Sequence, residues 1–241
     1  MIPKTIYYCW FGDNPLPRST KKYIRSWYKH CQGYTITQLN EQIFDIESAP
    51  LYVRQAYEAK KWAFVSDYVR LWALCEFGGV YLDTDVELLK SLDPLLEHRA
   101  FVFFETNKSI STGILGCEKG FSLFSEWMKG YEDRLFYKED GEPDLTINVL
   151  GLSEICLKHG IKMTNSIQNI DGFAAYPTEY LFSRLPGRMD ITTNTYAIHY
   201  YSNSWKSIEE KNAYNEQMSY LKKKLKCERK KQIIKNYLRK I

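Results

Sequence analysis

Residues 52–85 combine a long helical pattern with an immediate return strand, and this order largely determines the fold class. Apolar residues recur at helical spacing through 52–77, with a break near 60–61 that would divide the stretch into two helices. Two glycines at 78–79 end the pattern, as glycine commonly does at a helix C-terminus, and the apolar run 80–82 follows at once. A helix that leads directly into a short apolar strand is typical of a layered α/β fold.

The other elements agree with this class. Strand-like runs rich in aromatic and β-branched residues alternate with amphipathic stretches along the first two hundred positions. The pattern predicts strands at 4–11, 34–39, 101–104 and 196–201, and helices at 18–32, 121–131 and 145–158. We expect one catalytic domain over 1–206 and a basic helical tail over 207–241, because the sequence becomes polar and Lys-rich after about residue 209.

Charge is distributed unevenly between this tail and the rest of the chain. Residues 222–241 hold ten Lys and Arg against the single acid Glu228, whereas residues 1–221 carry a net charge of −5. Apolar side chains at Ile234, Tyr237 and Leu238 fall on one face of a helix through the tail. A basic amphipathic helix of this kind can bind an anionic membrane surface, or it can simply be a solvated charged helix.

The sequence lacks the patterns of a membrane span, a signal peptide and a cysteine-rich zinc site. No run approaches the ~20 apolar residues of a membrane span, and the N-terminus lacks the pattern of a signal peptide. The six cysteines form no C-x-x-C pair, which argues against a zinc site. We therefore expect a cytoplasmic protein with reduced thiols.

Two aspartates follow the apolar run 80–82. Asp83 and Asp85 lie one residue apart at the predicted carboxyl end of a strand, where ligands bind in open α/β sheets. Two carboxylates at this spacing can converge on one Mg²⁺ or Mn²⁺ ion, which would neutralise a diphosphate leaving group. Solvated aspartates at a strand end are the simpler interpretation, since a bare D-x-D is common.

A second charged pair lies on the preceding helix. Asp67 and Arg70 are three residues apart and share one helix face. An intrahelical ion pair, worth a few tenths of a kcal/mol, would account for them. Alternatively, Asp67 could accept bonds from sugar hydroxyls while Arg70 donates to a phosphate or a sugar.

Four segments in register carry a family resemblance. They are 2–12 with IPKTI and WFG, 66–70 with SDYVR, 78–85 with GGVYLDTD, and the late His199 followed by Ser204-Trp205. Together they resemble glycosyltransferase family 32, the DXD sugar transferases that include yeast α-mannosyltransferases and bacterial capsule enzymes. The chain is also similar to the catalytic domain of the clostridial glucosylating toxins. Such spacing is far more specific than a D-x-D alone.

The resemblance implies a GT-A fold, a Rossmann-like α/β sandwich with one active site. It implies a retaining, metal-dependent transferase that moves a sugar from a nucleoside-diphosphate sugar, with UDP favoured over GDP. The acceptor would be a glycan or a lipid-linked glycan in capsule or exopolysaccharide assembly, and the metal would be Mn²⁺ or Mg²⁺. The resemblance further assigns donor contacts to Trp10, Asp67, Arg70, Tyr81, Asp83, Ser204 and Trp205, and metal contacts to Asp85, Asp83 and His199.

The acceptor side is less defined by the sequence. No catalytic nucleophile can be named, because a retaining enzyme can use either a carboxylate or a front-side attack guided by the donor phosphate. Residues 105–113 are expected to form an acceptor-side loop, and Asp144 and Asn148 are further candidates. Each of these residues also has an ordinary structural interpretation.

Three other functions compete with this one. The run Leu82–Val86 resembles the D-x-D-x-[TV] motif of haloacid-dehalogenase-type phosphatases, but those proteins carry it on their first strand. A nucleic-acid-binding protein would use the basic tail, although the −5 charge of residues 1–221 argues against a broad basic footprint, so no nucleic-acid partner is expected. A carbohydrate-binding domain without catalysis would retain the aromatic residues but would not need Asp83 and Asp85.

Overall fold

A computed structural model describes residues 1–183 and 191–202, together with positions 209, 212–213, 216–220 and 223. Strands and helices alternate through the first part of this range. The strands are β1 Thr5–Cys9, β2 Thr35–Leu39, β3 Gly79–Leu82, β4 Val86–Leu88, β5 Ala100–Thr106, β6 Ser109–Cys117, β7 Gln168–Ile170, β8 Phe173–Tyr176, β9 Leu181–Ser183 and β10 Ala197–His199. The helices are α1 Arg18–His30, α2 Leu51–Glu58, α3 Trp62–Phe77, α4 Ser122–Lys129 and α5 Asn148–Lys158, with a short 3₁₀ helix at Asp93–Glu97.

Within the described residues, seven strands form one sheet in the order β2-β1-β3-β6-β5-β8-β7. β1 lies parallel to β2 and β3, and β5 lies parallel to β8, whereas β6 runs antiparallel to both of its neighbours. A small second sheet has the order β4-β10-β9. This mixed, mainly parallel sheet with helices confirms the predicted α/β class.

The central strands are buried on both faces, which explains their continuous apolar sequence. Tyr7 and Cys9 of β1 face the core beneath α2, α3, α4 and α5, while Ile6 and Tyr8 face the core on the α1 side. The same alternation continues in β3, where Tyr81 faces the first core and its neighbours face the second. A strand with two buried faces has few exposed positions apart from its ends, so polar side chains collect there.

The predicted break at 60–61 is present, and Lys60 adopts a positive φ of 55° between α2 and α3. Gly78 and Gly79 have φ values of 68° and 117°, which only glycine adopts readily, and they reverse the chain from α3 into β3. The predicted loop at 105–113 is wrong, because these residues form the end of β5, a tight turn and most of β6. β6 fills the centre of the sheet, and its buried apolar residues explain why it forms a strand.

The predictions for Ser204, Trp205 and nearly all of 222–241 concern positions outside the described residues, and the boundary at 206/207 stays a prediction. In the part of the chain that the structure describes, no helix combines the length and the apolar character needed to span a bilayer. Five of the cysteines, Cys9, Cys31, Cys75, Cys117 and Cys156, are buried free thiols.

Candidate active site

A cleft of about 790 Å³ opens at the carboxyl ends of β1, β3 and β5. This volume is within the range of small-molecule sites. Every predicted donor or metal contact in the described range lies on its wall: Trp10, Asp67, Arg70, Tyr81, Asp83, Asp85 and His199. Asp144, proposed from the sequence as an acceptor-side candidate, is absent from the wall and is instead paired with Arg134, whose Nη2 lies 2.7 Å from its Oδ2.

Asp83 and Asp85 lie in the turn between β3 and β4. The Asp83 backbone N–H donates to the Gly113 carbonyl oxygen at 2.8 Å, and the Asp83 carbonyl accepts from Val86 at 3.0 Å. These bonds fix the turn against β6. The Tyr81 hydroxyl donates to Asp83 Oδ1 at 3.0 Å and sets the direction of that carboxylate.

His199 joins the two aspartates through the register of the small sheet. β10 runs antiparallel to β4 with His199 opposite Val86, so the imidazole lies beside Asp85. His199 Nε2 is 3.1 Å from Asp85 Oδ1 and 3.9 Å from Asp83 Oδ2. One ligand atom from each of the three residues lies within 4.8 Å of the other two.

The charges of this cluster are coupled. Burial by itself would raise the pKa of Asp85, but His199 and a 2.7 Å hydrogen bond from the Ser202 backbone N–H lower it to about 2. Burial by itself would lower the pKa of His199, but the neighbouring Asp85, Asp83 and Glu105 raise it above its usual value. The protein therefore holds an anionic carboxylate against the imidazole.

These three residues fit a divalent cation. Two carboxylates and one imidazole are a donor set that Mn²⁺ accepts, and ligand atoms ~2.1 Å from such an ion lie roughly 3–4 Å apart. A Cβ on Gly113 would lie 2.8 Å from His199 Nδ1 and 3.3 Å from Asp83 Oδ2, so the packing around the three candidate ligands requires glycine at position 113. His199 Nδ1 is also buried, and it has no hydrogen-bond partner among the described residues.

Asp67 and Arg70 of α3 form a second charged group in the cleft. Arg70 is only 4% exposed, and its Nη2 donates to Asp67 Oδ1 at 2.9 Å while its Nη1 lies 3.4 Å from Asp83 Oδ1. The guanidinium also covers the Tyr81 ring, with 4.5 Å between Cζ and the ring centroid. The intrahelical ion pair expected from the spacing is therefore present, but it is buried, and Arg70 lies between Asp67 and Asp83.

Two residues beyond the motifs complete this group. Asn148, at the start of α5, donates from Nδ2 to Asp67 Oδ1 at 2.5 Å and accepts from Thr112 Oγ1 at 3.0 Å. The Thr112 carbonyl accepts from Arg70 Nη1 at 2.7 Å, which closes a ring of hydrogen bonds. Burial raises the pKa of Asp67 to about 7, although Arg70 opposes the shift. Asn148 was a sequence candidate for the acceptor side, but the structure places it against Asp67.

Trp10 extends the cleft beyond β1. Its indole N–H donates to the Asn14 carbonyl at 2.6 Å, and its ring is partly exposed to the cleft beside Trp62 and Lys61.

The D-x-D motif follows β3, and β1 ends without an aspartate, so the arrangement required by the phosphatase alternative is not present in these strands.

Comparison with known proteins identifies the region that builds this site. Residues 17–102 match the family model described as "Glycosyltransferase sugar-binding region containing DXD motif". Over this span the chain resembles the sugar-binding region of the DXD-motif glycosyltransferases. That span contains Asp67, Arg70, Asp83 and Asp85, and it confirms the resemblance for two of the four sequence motifs, 66–70 and 78–85.

A curated relative agrees with this match. A segment of 55 residues is 42% identical to inositol phosphoceramide mannosyltransferase 3 of Schizosaccharomyces pombe (strain 972 / ATCC 24843). The segment covers 23% of this chain and spans 15% of the relative's length. Most of the relative's own length therefore has no counterpart in the match.

Solved glycosyltransferase structures resemble the chain at low identity. The PaToxG glycosyltransferase has a TM-score of 0.48 at 16% identity, with 66% of this chain and 69% of that chain covered. GlyE of Streptococcus pneumoniae TIGR4 has a TM-score of 0.43 at 11% identity, over 76% of this chain and 47% of its own. A glycosyltransferase involved in the glycosylation of the major capsid of PBCV-1 has a TM-score of 0.44 at 10% identity, over 89% of this chain and 100% of that chain.

Proposed function

We propose that the chain is a metal-dependent glycosyltransferase that moves a sugar from a nucleoside-diphosphate sugar to a glycan or lipid-linked glycan acceptor. The observation that carries the proposal is the convergence of Asp83, Asp85 and His199 in the cleft that also holds the Asp67–Arg70 pair. A cation site beside a sugar-sized pocket with buried polar groups suits a diphosphate donor, in which a charged leaving group adjoins a neutral sugar.

Mn²⁺ is the proposed ion, with Mg²⁺ as the second choice. Carboxylates suit both ions, whereas an imidazole ligand is less favourable for Mg²⁺, which prefers oxygen. Asp83, Asp85 and His199 would hold the ion. When bound, it would neutralise charge on the diphosphate and make the nucleoside diphosphate a better leaving group.

We assign the donor contacts along the same cleft. Trp10 would stack on the base, Tyr81 and Asp83 would lie near the ribose, and Asp67 would accept hydrogen bonds from sugar hydroxyls. Arg70 already donates to the Ser66 and Thr112 carbonyls and to the Asp67 carboxylate. We therefore propose that it orients the carboxylates of Asp67 and Asp83, in addition to any contact with the donor. Ser204 and Trp205 remain proposed diphosphate contacts by family resemblance.

Finer features of the activity extend the same proposal. We propose a retaining mechanism and a role in capsule or exopolysaccharide assembly, on the resemblance to family 32. UDP is the favoured nucleotide, but a mannosyltransferase relative makes GDP an essential comparison. The basic tail at 222–241 would bring the enzyme to an anionic membrane that carries a lipid-linked acceptor.

A thermal-shift screen tests the donor class. UDP, GDP, UDP-glucose, UDP-galactose and GDP-mannose are each added with and without Mn²⁺, because a ligand of the native state raises the melting temperature by mass action. A ligand at 100 times its Kd adds about 2.7 kcal/mol, which is roughly 5–10 °C for a chain of this size. A Mn²⁺-dependent shift with one nucleotide supports the proposal.

Two controls make the screen decisive. Asp85→Asn should lose the Mn²⁺-dependent part of the shift, whereas the exposed Asp133→Asn should keep it. If folded wild-type protein shows no shift with any of these nucleotides, the proposed donor class is wrong.

A further inference from the structure

Glu105 and Tyr201 form a polar pair in the cleft that the donor assignment leaves unused. Glu105 is the penultimate residue of β5, and Tyr201 follows His199 by two residues, so the pair lies on the side of the cleft built by β5 and β10. The Tyr201 hydroxyl donates to Glu105 Oε1 at 2.7 Å. Both side chains are only partly buried, and both line the cleft.

Tyr201 is held in an unusual conformation. Its φ of 51° lies in the left-handed region, where a non-glycine residue costs on the order of 1 kcal/mol or more. Its ring stacks on the His199 imidazole with 4.0 Å between centroids and 24° between planes. The stack and the hydroxyl bond together fix the Glu105 carboxylate relative to the candidate metal ligand His199.

The second oxygen of Glu105 has spare hydrogen-bonding capacity. Oε2 lies 3.5 Å from Ser109 Oγ, at the limit of a hydrogen bond, and that serine also contacts Thr106 Oγ1 at 2.7 Å. A carboxylate can accept about four hydrogen bonds. Among the described residues, Glu105 forms no ion pair with a lysine or an arginine.

Charge decides which ligand suits this carboxylate. A negatively charged side chain would repel the diphosphate of a donor, whereas a neutral sugar hydroxyl can donate to it. A partly exposed tyrosine ring beside the carboxylate offers an apolar surface for a pyranose ring. The pair therefore suits a sugar ring and its hydroxyl, and it does not suit a phosphate.

We infer that Glu105 and Tyr201 form the acceptor subsite. The Glu105 carboxylate, positioned by the Tyr201 hydroxyl, accepts a hydrogen bond from a hydroxyl of a pyranoside acceptor. The inference rests on the proposed transferase function and names the part of the cleft that binds its second substrate. The contact is a binding interaction, so removing it weakens use of the acceptor and leaves transfer of the donor sugar to water unchanged.

Two reactions of one enzyme separate this role from a structural one. Donor hydrolysis is measured with Mn²⁺ and the donor chosen by the thermal screen, and transfer is measured to octyl pyranosides of glucose, galactose, mannose and N-acetylglucosamine. Glu105→Ala should lower kcat/KM for the best glycoside about 10- to 100-fold, mainly through KM, because hydrogen bonds to a charged group are worth ~1.5–3 kcal/mol. Its donor hydrolysis should stay within about twofold of wild type.

Three further variants grade the effect. Glu105→Gln keeps a neutral acceptor oxygen, so it should lose less than Glu105→Ala. Tyr201→Phe keeps the ring stack but frees the carboxylate, and we expect a smaller rise in the acceptor KM. Glu58→Gln, at an exposed position of α2, serves as the matched control and should match wild type in both reactions.

Distinct outcomes would overturn the inference and the proposed function. Wild-type acceptor kinetics in Glu105→Ala, or a parallel loss of hydrolysis and transfer, would overturn the acceptor subsite. Wild-type protein that hydrolyses the donor but transfers to none of the four pyranosides would also reject it. Protein that turns over no donor at all would remove the proposed function, and the inference with it.

Discussion

Replacing Asp85 with asparagine tests the candidate metal site with the least change in shape. The Asp85 side chain is 14% exposed, with Oδ1 3.1 Å from His199 Nε2 and Oδ2 accepting the Ser202 N–H at 2.7 Å. An asparagine in the same position can still accept the Ser202 bond and direct its amide nitrogen toward His199. The variant therefore removes the charge and keeps the packing.

The cost to folding follows from the pKa of Asp85. Its fall from 3.8 to about 2 corresponds to stabilisation of the charged form on the order of 2–3 kcal/mol. Because the folded pKa is depressed, this contribution is fully present above pH ~4 and is lost as the pH falls toward 2. At pH 7 we expect Asp85→Asn to lower the melting temperature by at most roughly 5–10 °C, so the protein stays folded at 25 °C.

The cost to activity should be larger. Partners in the outer shell of a metal site already change affinity or activity 10- to 100-fold, and a direct ligand should matter at least as much. We expect sugar transfer to fall about 100-fold or more at a Mn²⁺ concentration that saturates wild type. Donor hydrolysis is measured over a Mn²⁺ titration, and Asp133→Asn is the charge-matched control at an exposed position. Wild-type turnover with an unchanged Mn²⁺ midpoint would refute the assignment.

Three other perturbations probe neighbouring parts of the molecule. Burial raises the pKa of Asp67 to about 7, so its carboxylate becomes charged, and a better hydrogen-bond acceptor, between pH 6 and 8. The donor KM should therefore fall over this range, whereas Asp67→Asn should give a higher KM that does not change with pH. The same raised pKa makes the Asp67 contribution to the free energy of unfolding fully present below pH ~4 and progressively lost up to pH ~7, a trend that urea denaturation at several pH values measures. Gly113→Ala would bring a Cβ within 2.7 Å of His199 Cε1, so Mn²⁺ affinity should fall at least about 10-fold. A near-normal Mn²⁺ titration of this variant would refute the claim that the metal site requires glycine at position 113. Replacing five lysines of 222–241 with glutamine should weaken binding to anionic liposomes but spare donor hydrolysis, and equal liposome binding would reject the membrane role.

Much of the framework was predictable because local signals agreed with the fold. The helix break at 60–61, the reversal at Gly78-Gly79 and the strand before Asp83 each follow from residues adjacent in sequence. The order of the motifs predicted that Asp83, Asp85 and His199 converge. The structure shows the physical reason, because the pairing of β10 with β4 places His199 opposite Val86, next to Asp85. The role of these residues as metal ligands stays a prediction.

Other features depend on contacts that no local pattern records. β6 contains polar residues and Gly113, so 105–113 resembled a loop, yet its position between β3 and β5 makes it the centre of the sheet. The burial of Arg70 depends on Thr112, which is distant in sequence, whereas the helix spacing predicts the ion pair with Asp67 but not its burial. The positive φ of Tyr201 has no sequence signal at all, since that conformation normally favours glycine.

The position of Arg70 explains why a serine–aspartate–x–x–arginine segment on α3 accompanies the D-x-D turn. Asp67 and Asp83 come from different elements, and two carboxylates facing one cleft would repel each other. Arg70 lies between them, at 2.9 Å from one and 3.4 Å from the other, and backbone carbonyls of Ser66 and Thr112 hold its guanidinium. Burial alone would lower the pKa of Arg70, but Asp83, Tyr81 and Asp67 raise it, so the charge persists throughout the physiological range. The helix thus supplies a fixed cation on one side of Asp83 while His199 lies on the other, and the two motifs act as one electrostatic unit that orients the carboxylates toward the cleft.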